Sequence, residues 1–164
     1  MQFEAFVNQH GQSLLRLAYV LTGDPHRCQD LTQTALANAY RQWDKVESAR
    51  APEAYVRRML VNAHLDWHRR RSSTEQPTEL TPQQLVSVSD HADGVASRDH
   101  LRGLLATLAP RARTTLVLRY YLDLTDEAVA EAMGISAGSV RATASRALAS
   151  LRERQASDGV KETP

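Results

Sequence analysis

The sequence predicts an all-α fold of two small helical domains joined by a flexible acidic linker. Apolar residues recur at spacings of three and four along most of the 164 residues, which is the period of an amphipathic helix. Ala, Leu and Arg, all strong helix formers, dominate these segments. One central stretch without this period interrupts the pattern and divides the chain.

Three helices are predicted in the first block, residues 1–71. The first ends at the TGDP stretch, where Asp24 can cap the second helix and Pro25 can occupy its first position. The third helix starts at Pro52 and runs to about Arg71. The residues expected to face the core of this block are Phe3, Phe6, Val7, Leu14, Leu17, Ala18, Leu21, Leu31, Ala35, Leu36, Ala39, Tyr40, Trp43, Tyr55, Val56, Met59, Leu60, Ala63 and Trp67.

Residues 72–97 are predicted to form the linker. They contain two prolines and many Ser, Thr and Gln residues, as flexible connecting chain does. They carry four acidic residues and no Lys or Arg, whereas residues 1–71 have ten Lys and Arg against seven Asp and Glu, and residues 98–164 have ten against eight. A connector of this length is long for a loop within one domain, so a domain boundary is expected here.

Four helices are predicted in the second block, residues 98–154, followed by a disordered tail at 155–164. The first ends near Pro110, the run TTLVLRYYLDL forms the second, and Thr125 can cap the third. The third breaks at Gly134, and Ser136 caps the fourth, so the last two helices have the helix-turn-helix pattern. The residues expected to face the core are Leu101, Leu104, Leu105, Leu108, Val140, Ala144, Ala147, Leu148 and Leu151.

The outward face of the final predicted helix alternates small residues with arginines. Small residues let a helix approach DNA closely, while guanidinium groups reach guanine edges or phosphates. A solvated helix face is the alternative, and the preceding capped helix and glycine turn favour DNA. The residues of this face are Ser139, Arg141, Ala142, Ser145, Arg146 and Ala149.

The stretch MLVNAHLDWHRRR, residues 59–71, suggests either a metal site or a surface for a polyanion. His64 and His68 lie four apart on one side of the predicted helix, whereas Asp66 falls on the other side and cannot readily supply a third zinc ligand. The arginines here better suit phosphates and exposed bases. A basic helix end that complements its own dipole is a second alternative.

Several classes of function have no visible site in the sequence. The single cysteine, Cys28, excludes an internal disulfide and a cysteine-based zinc site. No glycine-rich phosphate loop or nucleophile elbow is present, so we expect no catalytic residues, no metal, no cofactor and no enzymatic activity. No apolar run is long enough to span a bilayer and no signal peptide is recognised, which predicts a cytoplasmic protein.

Three stretches in order resemble the extracytoplasmic-function (ECF) sigma factors of bacteria, in particular the short actinobacterial, SigE-like kind of the sigma-70 family. They are LAYVLTGDPHRCQDLTQTALANAYRQWD, APEAYVRRMLVNAHLDWHRRR and LAPRARTTLVLRYYLDLTDEAVAEAMGISAGSVRATASRALASLR. The resemblance implies that residues 1–71 are sigma domain two and residues 98–154 are sigma domain four, with no domain three between them. It implies a factor that binds core RNA polymerase and directs promoter-specific initiation, with the acidic linker in the RNA-exit path.

The resemblance also implies three sets of site residues. Core polymerase, through the clamp coiled coil of its largest subunit, would contact Asp30, Leu31, Gln33, Leu36 and Arg41. The minus-ten element, with a flipped base, would contact Val46, Glu47, Ser48, Arg57, Arg58, Asn62, Arg69 and Arg70, and Arg71 belongs to the same basic end. The minus-thirty-five element would contact Ser136, Ser139, Arg141, Ala142, Ser145 and Arg146. The polymerase flap and an anti-sigma factor or other regulator are further implied partners.

The sequence departs from the family pattern at three positions, and two other functions stay open. Thr143 and Ala144 replace a basic residue and a larger aliphatic one, and His68 stands where close relatives often have an aromatic. One alternative is a stand-alone helix-turn-helix regulator. The other is a metal-dependent enzyme that uses His64 and His68.

Overall fold

The computed structural model describes residues 1–74 and 95–161, and their side chains at 1–71 and 99–159. The described residues form helices joined by short connections and contain no strand, which confirms the all-α class. The chain divides into two compact units, an N-terminal unit at Met1–Thr81 and a C-terminal unit at Pro82–Pro164. Residues 75–94, the main part of the predicted linker, lie outside the described residues.

The N-terminal unit contains three long helices and one short helix. They are α1 (Phe3–Thr22), α2 (Pro25–Arg41), α3 (Trp43–Glu47) and α4 (Pro52–Thr74). α2 packs against both α1 and α4, and the core lies where these three helices meet. The fully buried residues of this core include Phe6, Leu14, Leu17, Leu21, Ala35, Ala39, Val46, Val56 and Leu60.

The turn between α1 and α2 has the predicted capping chemistry. Gly23 ends α1 in the left-handed region (φ 65°), which glycine adopts without strain, and its N–H donates to the carbonyl of Tyr19 at 2.8 Å. The carboxylate of Asp24 accepts hydrogen bonds from the backbone N–H groups of His26 (2.8 Å) and Arg27 (3.2 Å). These bonds satisfy the first free donors of α2 and fix where it begins.

The inner face of α4 differs from the prediction. Val56 and Leu60 are buried as expected, but His64 is also buried, at 1% exposure, and continues their line four residues further on. Tyr55, predicted to face the core, is 38% exposed, and Trp67 is half-buried. The prediction was wrong because apolar residues lie on several sides of α4, so their spacing alone does not select one face.

Two further features of the N-terminal unit were not predicted correctly. Tyr40, expected in the apolar stripe of α2, is 63% exposed, whereas Thr32, which was not expected to face the core, is buried. Thr32 is tolerated there because its hydroxyl donates to the carbonyl of Cys28 at 2.7 Å. Residues 43–47, which were not predicted as a separate helix, form α3, a short helix that brings Val46 into the core.

The C-terminal unit consists of four α-helices and a π-helical segment. The helices are α5 (Val95–Ala106), α6 (Pro110–Leu116), α7 (Asp126–Met133) and α8 (Ala137–Lys161), and the π-helical segment (Val117–Tyr121) directly continues α6. α8 packs against α5, α6 and α7. The buried apolar residues of this core are Leu104, Leu105, Leu108, Leu116, Val117, Leu118, Val129, Ala130, Val140, Ala144 and Ala147.

Arg113 of α6 caps the end of α5. Its guanidinium donates to the carbonyl oxygens of Leu105 (3.0 Å) and Ala106 (3.4 Å) at the end of α5 and of Leu108 (3.2 Å) just after it. Burial lowers the pKa of Arg113 from its usual value, but an arginine remains charged at neutral pH. The positive charge at the carboxyl end of α5 also complements the helix dipole.

The turn between α7 and α8 is built as the sequence predicts. The hydroxyl of Thr125 accepts from the N–H of Ala128 at 3.2 Å and caps α7, and Gly134 ends α7 in the left-handed region (φ 67°). Ser136 caps α8, because its hydroxyl accepts from the N–H of Ser139 at 3.1 Å. The two helices therefore form a helix-turn-helix.

The ends of the predicted segments differ from the structure. Residues 72–74 and 95–97, expected in the linker, belong to α4 and α5, and residues 155–161, expected in a disordered tail, continue α8. These residues continue an existing helix, and Ala96, Gln155, Ala156 and Lys161 among them prolong a helix at little cost. Leu101, predicted to face the core, is 53% exposed.

Candidate nucleic-acid and polymerase interfaces

An open groove of about 900 Å³ runs between α2 and α4. From α4 it is lined by Tyr55, Arg58, Asn62, Asp66, Trp67 and Arg70, and from α2 by Arg27, Asp30, Leu31, Thr34 and Asn38, among others. Tyr55, Arg58, Asn62 and Arg70 are exposed there. The groove thus combines an aromatic face, an amide and cationic groups, which can stack on a base, pair with its edge and hold phosphates.

Trp67 closes one end of this groove. The guanidinium carbon of Arg27 lies 3.4 Å from the centre of the Trp67 ring and that of Arg71 lies 4.9 Å from it. His68 packs edge-on against the same ring at 5.0 Å, and against the buried His64 at 4.5 Å. These contacts connect the start of α2 to the end of α4 and hold the basic end of α4 in place.

The predicted minus-ten residues do not all lie in this groove. It brings together Arg58, Asn62 and Arg70, as the sequence analysis expected, but Arg57 is not among its lining residues. Arg57 donates to Ser13 of α1 at 3.3 Å and forms a short ion pair with Glu53. These two contacts direct the Arg57 side chain toward α1 and not into the groove.

The predicted residues around α3 have different exposures. Val46 is fully buried, so its side chain does not reach the surface of this structure. Glu47 and Ser48 are exposed, and the hydroxyl of Ser48 donates to the carbonyl of Lys45 at 3.2 Å. Val46 instead anchors α3 to the core and thereby positions the two exposed residues.

The predicted polymerase-binding residues occupy two sides of α2. Asp30, Gln33 and Arg41 are exposed and Leu36 is half-buried. Leu31, in contrast, is only 9% exposed. Leu31 therefore stabilises the N-terminal unit, and its substitution by a charged residue would disturb folding as well as any docking contact.

Most of the residues predicted to contact the minus-thirty-five element are exposed along α8 of the C-terminal unit. Ser136, Arg141, Ala142, Ser145 and Arg146 are exposed and Ser139 is half-buried. A shallow groove of about 830 Å³ runs beside this face and is lined by Arg111, Ser136, Ser139, Ala142 and Arg146, among others. Ala144 is fully buried, so its departure from the family pattern changes the core and not the exposed face.

Arg141 is held by an ion pair that was not anticipated. Its Nη1 lies 3.6 Å from Oδ2 of Asp126, the first residue of α7. The Nε of Arg119, from the π-helical segment, lies 3.1 Å from the other oxygen of the same carboxylate. That oxygen has no hydrogen-bond partner, so the close approach of Arg119 is an ion pair without hydrogen-bond alignment.

Sequence reasoning missed Asp126, Arg119, Arg27 and Tyr55 as site residues. The ion pairs of Asp126 depend on residues seven and fifteen positions away, a separation that helical periodicity does not report. Arg111 was also missed, although an arginine in the first turn of a helix opposes the helix dipole and is a signal that could have been used.

Other chemistries have little support in the described part of the chain. No group of three or more His, Cys, Asp or Glu side chains that could hold a metal ion occurs there. Cys28 is buried, and burial together with the nearby Asp24 raises the pKa of its thiol, which lowers the reactivity of the thiol. Among the described helices, none is both long and apolar enough to cross a membrane.

Comparisons with known proteins identify both units. Residues 6–74 match Sigma-70 region 2 and residues 104–153 match Sigma-70 region 4. The chain is 42% identical over 153 residues to an RNA polymerase sigma-E factor of Streptomyces avermitilis, covering 93% of this chain and 84% of that protein. It is 41% identical over 153 residues to the factor of the same name from Streptomyces coelicolor, covering 93% and 85%.

More distant relatives agree. The ECF RNA polymerase sigma factor SigE of Mycolicibacterium smegmatis is 27% identical over 157 residues, covering 92% of this chain and 60% of that protein. The fold is similar to that of the sigma factor RpoE in a co-crystal structure with the anti-sigma factor NepR from Bartonella quintana. That match has a TM-score of 0.68 and 21% identity and covers 92% of this chain and 94% of the other. The chain therefore belongs to the sigma-70 family of RNA polymerase sigma factors, in its ECF group.

Proposed function

We propose that this protein binds core RNA polymerase and directs it to promoters, where the N-terminal unit opens the minus-ten element and the C-terminal unit reads the minus-thirty-five element. The observation that carries the proposal is the presence, in one chain, of regions 2 and 4 of the sigma-70 family, each with an exposed basic surface. The proposed role is recognition and strand opening and involves no covalent chemistry by this chain. It would operate in the cytoplasm, beside the polymerase.

The groove between α2 and α4 is the proposed site for an unstacked minus-ten base. Asn62 offers both donors and acceptors to a base edge, and Tyr55 offers an exposed ring for stacking. Arg58 and Arg70 line the same groove and can hold the phosphates on either side of the base. Extruding a base costs a few kcal/mol, which such contacts can offset.

Glu47, the last residue of α3, and Ser48, which follows it, are proposed as further contacts to the minus-ten element, both being exposed. Arg69 is proposed to contact phosphates from outside the groove, although it is also 3.1 Å from the carboxylate of Asp66. For Arg57 we propose a supporting role through Glu53 and Ser13 in place of a direct contact.

The outward face of α8 is the proposed reader of the minus-thirty-five element. Arg141 and Arg146 are the long donors that can reach guanine edges or phosphates in a major groove. Ala142 and Ser145 between them are small and exposed, so the helix backbone can approach the DNA closely. Ser136 and Ser139 lie at the amino end of the helix, where phosphates are favoured.

Core polymerase is proposed to dock on α2 through its clamp coiled coil and on the C-terminal unit through its flap. Asp30, Gln33, Leu36 and Arg41 are the proposed α2 contacts, with Leu31 supporting them from the core. An anti-sigma factor is a further proposed partner, by analogy with the Bartonella quintana RpoE co-crystal, in which NepR is the anti-sigma factor.

Run-off transcription with core polymerase on genomic fragments, followed by mapping of start sites, tests the proposal. The holoenzyme should initiate at a restricted set of promoters, and the protein without polymerase should bind those promoters weakly. A gel-shift comparison of the protein alone with the holoenzyme distinguishes a sigma factor from a stand-alone regulator. If the protein alone protects a promoter at moderate salt as well as the holoenzyme does, the sigma function is contradicted.

Variants separate DNA recognition from docking. Asn62→Ala and Arg141→Ala should lower promoter-specific transcription about tenfold, the effect of one good base contact, while core binding measured by co-purification is unchanged. Arg41→Glu, which is exposed and does not disturb the core, should instead weaken core binding. Leu31→Asp is a poor test of docking because Leu31 is buried. Equal core affinity for Arg41→Glu and wild type would count against the docking surface.

A further inference from the structure

The cluster formed by Arg119, Asp126 and Arg141 joins three elements of the C-terminal unit. The carboxylate of Asp126 stands at the start of α7, between Arg119 of the π-helical segment at 3.1 Å and Arg141 of α8 at 3.6 Å. The side chain of Asp126 is 16% exposed, whereas that of Arg141 is 58% exposed. The negative charge of Asp126 is thus largely buried in the C-terminal unit, whereas the side chain of Arg141, which it attracts, is mostly exposed.

We propose that Asp126 is a specificity-determining positioning residue, which holds Arg141 in the orientation that reads one base pair of the minus-thirty-five element. The inference rests on the proposed function, since it assumes that α8 reads DNA. Asp126 itself touches no base in this proposal, because it is sheltered behind Arg141.

The geometry supports a positioning role. An arginine side chain on an exposed helix face has many rotamers, and ordering it on a base costs conformational entropy. One guanidinium nitrogen, Nη1, faces Asp126, which restricts the rotamers and leaves other N–H groups for a base edge. Two parallel N–H bonds to guanine require this kind of fixed fork.

The charges of the cluster support the same conclusion. Two guanidinium groups without the carboxylate would carry a charge of +2 beside the reading face, and Asp126 reduces it to +1. Binding to arbitrary DNA depends mainly on such phosphate attraction. Asp126 should therefore weaken binding to wrong sequences while it improves the reading of the right one, and both effects raise specificity.

The test uses full-length protein in holoenzyme and templates that carry a mapped promoter with the minus-thirty-five region randomised. Each template carries its own barcode downstream of the start site, and sequencing these barcodes in the transcripts gives a base preference at every randomised position. For Asp126→Asn, we expect the preference at one position to fall roughly tenfold, the discrimination typical of one arginine–guanine pair, while binding to unrelated duplex DNA increases. Arg141→Ala should flatten the same position, and Asp126→Asn added to Arg141→Ala should have no further effect there.

Glu131→Gln is the matched control, because it removes one negative charge from an exposed position of the same helix. It should leave every base preference unchanged. If Asp126→Asn changes no preference, or lowers all positions equally as a loss of folding would, the proposal is overturned. If wild-type holoenzyme does not initiate at promoters at all, the proposed function itself has failed, so the two failures are distinguishable.

Discussion

Single arginines have several different roles in this protein, and the structure distinguishes them. Arg58 and Arg70 line an open groove, Arg141 is held on an exposed face, and Arg113 is turned inward to cap a helix. All four residues have the same side chain, so their different roles follow from the helix face that each one occupies and the partner that it contacts.

Arg113→Met should destabilise the C-terminal unit by about 2–3 kcal/mol, because three carbonyl groups at the end of α5 lose a charged donor. Urea unfolding followed by circular dichroism measures this. Arg111→Met, an exposed arginine two residues earlier, is the matched control and should change stability by less than about 0.5 kcal/mol. Equal unfolding midpoints for the two variants would contradict the capping role.

Arg27→Ala should destabilise the N-terminal unit by about 0.5–1 kcal/mol, because the guanidinium stacks on the ring of Trp67. Arg27→Lys keeps the charge but loses the planar contact, so it should recover only part of the loss. Tryptophan fluorescence during urea unfolding measures both, and Arg50→Ala, an exposed arginine, is the control. A full recovery by lysine would show that charge alone matters.

Whole helices were easier to predict from the sequence than the faces they bury. α2, α7 and α8 begin after the predicted capping residues Asp24, Thr125 and Ser136, and α7 ends at the predicted Gly134, because capping is local. The buried face of α4 was wrong, since apolar residues surround that helix and only packing selects Val56, Leu60 and His64. The hydrogen bond of Arg57 to Ser13 of α1, 44 positions away, was also not predictable from helical spacing.

Truncation of α8 tests how much of this helix stabilises the C-terminal unit. Residues 152–159 are all exposed, so ending the chain after Arg154 should change stability by less than about 0.5 kcal/mol and leave transcription unaffected. Ending it after Ala147 also removes the partly buried Leu148 and Leu151 and should cost roughly 2 kcal/mol. Circular dichroism and run-off transcription measure the outcomes. A large loss of stability when the chain ends after Arg154 would show that the residues removed contribute to the packing.

At the scale of the whole molecule, the chain forms two compact units, each with its own hydrophobic core. Both tryptophans, Trp43 and Trp67, belong to the N-terminal unit. The sequence predicted this division from the loss of periodicity and the acidic charge of residues 72–97, and the matches to regions 2 and 4 of the sigma-70 family agree with it.

The two units should unfold separately, because each has its own core. Tryptophan fluorescence should report the N-terminal unit alone, whereas circular dichroism should report both. Arg113→Met should therefore shift part of the circular dichroism transition and leave the fluorescence transition unchanged. A single transition, shifted equally in both signals by this substitution, would mean that the two units unfold together.

Between Ala137 and Ala149, the outward face of α8 carries only Arg141 and Arg146 as long side chains, among alanines, serines and a glycine. An arginine specifies roughly one base pair, so this helix conveys only a few bits of information. A recognition sequence that short recurs very many times among the roughly one million or more sites that a genome offers. Promoter selection therefore depends on two short recognition sequences that occur together. A single nucleotide change can add a gene to the set of transcribed genes or remove it.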